Sequence, residues 1–102
     1  MTDLTEDRIE ELRDTFGVAP ILFGPYDDQY EVKDLDWAVE ADTHDESIAA
    51  AKMDAERVAI KMNVTLISFI PNGGGGWPTV GFRGEANNIF ALLDAYDNCE
   101  EL

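Results

Sequence analysis

Nine carboxylates and one lysine fall between Asp27 and Glu46. On an extended strand, Glu31, Asp34, Asp36 and Glu40 would project largely from one face. Residues two apart on a strand lie about 6.6 to 6.8 Å apart, and a DNA strand advances about 3.4 Å per phosphate. One such row would carry about half the axial charge density of a DNA strand. The chemistry this offers is imitation of a polyanion, fitted to a basic groove on another protein. Glu31, Asp34, Asp36, Glu40 and Asp42 are the expected carriers, and Trp77 a possible aromatic anchor. The competing reading is a solvated face that confers only solubility.

A second candidate is the run Gly73, Gly74, Gly75 and Gly76. Glycines let a backbone approach a ligand closely. A Walker loop, however, ends in Gly-Lys-Ser/Thr, and here Trp77-Pro78 follows. The dinucleotide pattern needs a helix directly after the loop, and here a strand is expected. A small-ligand or phosphate-binding role for residues 72–78 is therefore the alternative reading, beside a plain hairpin tip.

The remaining reactive side chains do not form a catalytic set. His44, the only histidine, stands among Asp42, Asp45 and Glu46, but acids at a helix start need no metal to explain them. No second histidine completes a zinc set. Asp27-Asp28 lacks the spaced oxygen ligands of a calcium loop. Cys99 has no companion base, and as the single cysteine it allows no internal disulfide, which fits a reducing compartment. Ser47 and Ser68 have no nucleophile context. The expectation is a protein that is not an enzyme, with no cofactor and no metal.

Charge narrows the partners. The formal charge is −15, from 22 acids against 7 bases. Direct binding to nucleic acid or to an anionic membrane needs lysine and arginine, so neither is expected. Residues 1–50 hold 15 acids and 3 bases, and residues 51–102 hold 7 and 4. The acidity thus belongs to particular elements. In size and charge alone it is analogous to small acidic proteins such as phage-encoded inhibitors and nuclease-toxin antidotes. A halophile-type bias should acidify both halves, yet that reading stays open because only three residues are lysine. The amino-terminal stretch is acidic and amphipathic, unlike a basic leader, and no apolar run approaches the roughly 20 residues that span a bilayer. A cytoplasmic setting is expected. Monomer and homodimer both stay open, the edge at Ile21–Phe23 being the place where copies would pair in an assembly protein.

These groups must be positioned by one domain, since 102 residues suffice for one and not two. The chain is organised around a hairpin over Val64–Gly84. Asp3-x-x-Glu6 predicts a capped helix over about 3–16 that turns Ile9, Leu12 and Phe16 inward. Val18–Phe23, interrupted by Pro20, predicts an edge strand or a strand start, followed by turn chemistry at 24–28. Tyr30 and Val32 alternate with polar residues, and Leu35, Trp37 and Val39 do so one residue out of step. A β-bulge or a tight turn at Lys33-Asp34 would restore one buried face, and a single bulged strand is the favoured reading. Thr43-x-x-Glu46 opens a helix over about 44–62, with Ile48, Ala51, Ala55, Val58, Ala59 and Met62 in one stripe. Val64–Ile70 reads as a central strand. Thr79–Arg83 returns, and Gly81 inside it signals a bulge or a close neighbour. A last helix over about 85–97 buries Ile89, Phe90, Leu93 and Tyr96, and the acidic tail 98–102 is expected to fray. The expected fold is an α+β two-layer domain, order α-β-β-α-β-β-α, with a four-stranded, mainly antiparallel sheet and helices on one face.

Overall fold

A computed structural model describes residues 4–23, 26–73 and 76–98. Residues 1–3 with the expected cap Asp3, residues 24–25 of the expected turn, Gly74, Gly75 and residues 99–102 with Cys99 lie outside the described residues. The chain is α+β, with three helices and an antiparallel sheet.

Helix α1 runs Glu6–Phe16. Its cap is Thr5, whose hydroxyl accepts the Arg8 N–H at 3.2 Å, and not the expected Asp3, which lies outside the described residues. That starts the helix three residues later than the Asp3 reading, and places Glu6 and Asp7 at its positive end. Strand β1 (Ala19–Phe23) lies antiparallel along β2 (Tyr26–Asp36). β2 therefore begins inside the expected turn segment. Helix α2 runs His44–Lys61, with the Thr43 hydroxyl accepting the Glu46 N–H at 3.1 Å, as the capping-box spacing predicts. Strands β3 (Thr65–Ile70) and β4 (Thr79–Glu85) and helix α3 (Ala86–Asp97) complete the domain.

Across the sheet, β2, β4 and β3 lie in that spatial order, each pair antiparallel. β3 is therefore an edge, not the central strand its apolar run suggested. The chain crosses over from β2 through α2 to β3, and β4 then inserts between the two. β4 takes the central place, and its residues 79–82 are buried.

Two bulges flank the central strand, and the β1–β2 pairing also shifts register between Ile21 and Phe23. On β2 the pairing steps from Val32↔Phe82 to Leu35↔Val80, so one extra residue falls at Lys33-Asp34. Asp34 takes a left-handed conformation there, φ 60°. Val32 and Leu35 both face the core as a result. On β3 the pairing steps from Leu66↔Phe82 to Ser68↔Gly81, leaving Ile67 extra. Both bulges flank Gly81. A Cβ there would stand 2.6 Å from Ser68 Oγ and 3.2 Å from the Val32 carbonyl oxygen. Only glycine lets both bulged neighbours close on the central strand.

The core is one cluster. Val32, Leu35, Val80 and Phe82 from the sheet meet Ala51, Ala55 and Val58 of α2, Ile89, Phe90 and Leu93 of α3, and Leu12 of α1. The alanines of α2 let the helix approach the sheet closely. Arg8 ties α1 to α3: its guanidinium reaches Asp94 at 2.8 Å, Asp97 at 2.6 Å and Glu11 at 3.1 Å. Hydrogen bonding to Asp94, then to Asp97 and Glu11, raises its pKa further above the ordinary arginine value. No helix among the described residues is long and apolar enough to cross a membrane.

Candidate functional site

Strand β2 ends at Asp36, and the chain leaves the sheet through residues 37–43 before α2 begins. Three interactions fix that exit. The Trp37 backbone N–H donates to the Pro78 carbonyl at 2.8 Å. The buried Trp37 indole N–H donates to Asp54 of α2 at 2.9 Å. The Ser47 hydroxyl donates to the Val39 carbonyl. Trp37 also stacks on Tyr96, at 5.9 Å between centroids and 22° between planes, and meets Phe82 edge-on at 5.5 Å. The residues after Trp37 are thus held against both α2 and the loop that carries Trp77.

Between them lies an open cleft of about 630 Å³, lined by Val39, Glu40, Asp42, His44, Ser47 and Trp77 among others. Trp77 is 53% exposed, which leaves much of its indole available to a partner. Its loop is closed at the base. The Gly73 N–H donates to the Trp77 carbonyl at 2.8 Å, and the Gly76 N–H to the Gly73 carbonyl at 3.2 Å. Gly76 sits at φ 83°, a conformation that glycine adopts without steric cost. The Gly73 and Gly76 amides are therefore engaged inside the loop, and neither is left to cradle a phosphate. His44 Nε2 lies 3.4 Å from Asn72 Oδ1, so the start of α2 faces the end of β3. Asp45 and Glu46 stand in the first turn of α2, where the helix dipole favours them. Glu40 and Asp42 precede the helix and are exposed.

The sequence-derived carriers separate into two groups. Glu40, Asp42 and Trp77 meet in the cleft. Glu31, Asp34 and Asp36 lie along β2, and the expected straight row does not form. The bulge puts Asp34 in the left-handed turn, and Glu40 stands beyond the end of the strand. Glu31 is half-buried and pairs with Lys33 at 2.9 Å. Its register also places it directly opposite Arg83. The Lys33 ammonium is held above its ordinary pKa, first by its hydrogen bond to Glu31 and then by the charge of Glu31. Asp36 is exposed opposite Thr79, and its carbonyl accepts the Tyr96 hydroxyl at 2.7 Å.

Sequence reasoning missed the positioning role of Trp37 and Asp54, and the entry of Ser47 and His44 into the cleft wall. The signal for Trp37 was its place just after a bulged strand. The contact with Asp54 depends on how α2 crosses the sheet. Among the described residues, no group of three or more His, Cys, Asp or Glu side chains is gathered for a metal ion.

Comparisons with protein-family models, with curated proteins and with solved structures return no match.

Proposed function

We propose that this protein is a small acidic docking module. It engages a lysine- or arginine-rich segment of a basic, nucleic-acid-handling partner, in the manner of an inhibitor. The observation that carries the reading is the meeting of Glu40, Asp42 and the exposed Trp77 on one cleft. A guanidinium or ammonium entering there finds carboxylates on one side and an indole face on the other. Cation–π contact contributes about 0.5 to 2 kcal/mol, depending on how dry the contact becomes. The remaining negative charge supplies steering: it speeds association and makes it salt-sensitive.

In this reading the acidic surface is not a continuous strand of phosphate substitutes. Glu31 has Lys33 beside it and Arg83 opposite, so it adds little to a row. The charge that acts is local to the 38–44 segment, with Asp36 at its edge. A loop that binds small ligands or phosphate through 72–78 is less favoured, because the Gly73 and Gly76 amides already have partners and the neighbouring carboxylates repel anions. The reading places the protein in the cytoplasm, where such partners work.

Calorimetric titration with an arginine-rich peptide, at about 50 mM and about 300 mM salt, tests it. Binding that weakens roughly tenfold or more across that range supports it. Absence of binding at low salt contradicts it. A thermal shift produced by nucleotides, and lost when the glycine run is shortened, would favour the loop reading instead.

A further inference from the structure

Helix α2 carries a feature the cleft does not use. Met53 is 71% exposed and Ile60 84% exposed, the two most exposed large apolar side chains among the described residues. They stand seven residues apart, hence within about 20° of each other around the helix and about 10.5 Å along it. Ala51, Ala55 and Val58 are fully buried, and the same periodicity puts Met53 and Ile60 on the pole opposite them. Exposed Ala49 and Glu56 fall on the same outer stripe. This is an apolar seam on the crown of the helix, directed away from its own core.

Its electrostatic setting is unlike the rest of the chain. Helix α2, His44–Lys61, holds four acids, Asp45, Glu46, Asp54 and Glu56, against three bases, Lys52, Arg57 and Lys61. That is a balance of −1 in a chain of −15, leaving −14 elsewhere. The charges on α2 are also ordered along it: Asp45 and Glu46 at the start, Arg57 and Lys61 at the end.

We propose that this face of α2 docks against the same face of a second copy of the chain, with the two helices antiparallel. A twofold axis crossing near Met53 sets Met53 on Met53 and brings Lys61 of each copy beside Glu46 of the other, on the same flank of the seam. Arg57, held by Asp54 of its own helix at 2.7 Å, stands on that flank too. The side chain of Ile60 leans toward its own amino terminus and so covers Ala49 of the opposite copy, a large residue against a small one. The helix dipoles also oppose. The interface is isologous, as a twofold requires. It uses a helix whose charges nearly balance, so two strongly acidic molecules approach there with little added repulsion. Strand-edge pairing through β3 fits less well, because the Ile67 bulge breaks the regular edge.

Sedimentation equilibrium of the full chain at about 0.15 M salt, over a range of concentrations, reads the association directly. One helix pair is at the small end of specific interfaces, so a dimer with a roughly micromolar midpoint is expected. Met53→Glu and Ile60→Glu should each weaken it at least tenfold while leaving the circular dichroism spectrum unchanged. Glu46→Lys and Lys61→Glu should each weaken self-association. Mixing those two variants should restore it, because the mixed antiparallel pair has an opposite charge at both ends. A chain that stays monomeric to about 1 mM overturns the proposal. So does a dimer unaffected by both apolar substitutions, or a mixture that associates no better than its components.

Discussion

Trp37 donates its indole N–H to the Asp54 carboxylate across 2.9 Å, from the end of a strand to the middle of a helix seventeen residues on. With the Trp37 backbone bond to Pro78, it fixes where the cleft-forming segment leaves the sheet. Trp37→Phe keeps most of the ring but removes the donor. A loss of about 1 to 2 kcal/mol in unfolding free energy is expected, measured by urea denaturation. Peptide affinity should fall as well. A variant as stable as the parent would show that the bond does not hold the exit.

Gly81→Ala is expected to cost about 1 to 3 kcal/mol by overpacking. The new methyl meets the Val32 carbonyl, which is backbone and cannot rotate away. Gly76→Ala meets nothing within 4 Å, but inherits φ 83°. Its cost should be about 1 to 2 kcal/mol, from conformation alone. Ser68→Gly should partly rescue the first and leave the second unchanged, as read from denaturation midpoints.

Arg8→Met removes the cation that joins Asp94 and Asp97 of α3 to α1. Asp94 is buried, and losing its charged partner is costly there. The melting temperature should fall. The first amide protons to exchange faster should be those of α1. Faster exchange confined to α2 would contradict this account of how α1 is held.

Lys33 gives a pH dependence with a definite sign. Its folded-state pKa lies above the ordinary value of 10.5 because of Glu31. The stabilisation is therefore complete below that value and disappears as pH rises through the folded-state pKa. Lys33→Gln should be less stable than the parent near neutral pH, and the gap should close as pH rises through the folded-state pKa. A gap that widens with alkalinity would reverse the assignment. The effect is modest, since Lys33 is well exposed.

Much of this architecture is legible in the residues because the signals are local. Thr43-x-x-Glu46 marks the start of α2 by capping chemistry alone. The one-residue slip between Val32 and Leu35 marks the break in register, because a side-chain period of two requires an extra residue or a turn there. Gly81 announces a close neighbour by having no side chain. What the sequence hides is non-local. The apolar run Thr65–Ile70 suits a central strand, yet β4 inserts beside it and leaves it at the edge. The amino-terminal cap moved to Thr5 because several oxygen-bearing residues compete there. In the candidate site, Glu40, Asp42 and Trp77 were identified by type. Their convergence depends on the crossover and on the Trp37 anchor, neither of which spacing records.

The most direct measurement is the binding of a fluorescent octa-arginine peptide to three forms of the protein, followed by anisotropy at low salt. Relative to the parent, Trp77→Ala combined with Glu40→Gln and Asp42→Asn should weaken binding at least roughly tenfold. Glu6→Gln combined with Glu10→Gln removes as much charge from α1, outside the cleft, and should change affinity less than about threefold. Equal losses in the two variants would mean that net charge alone attracts the peptide, and would contradict a recognition site at Trp77.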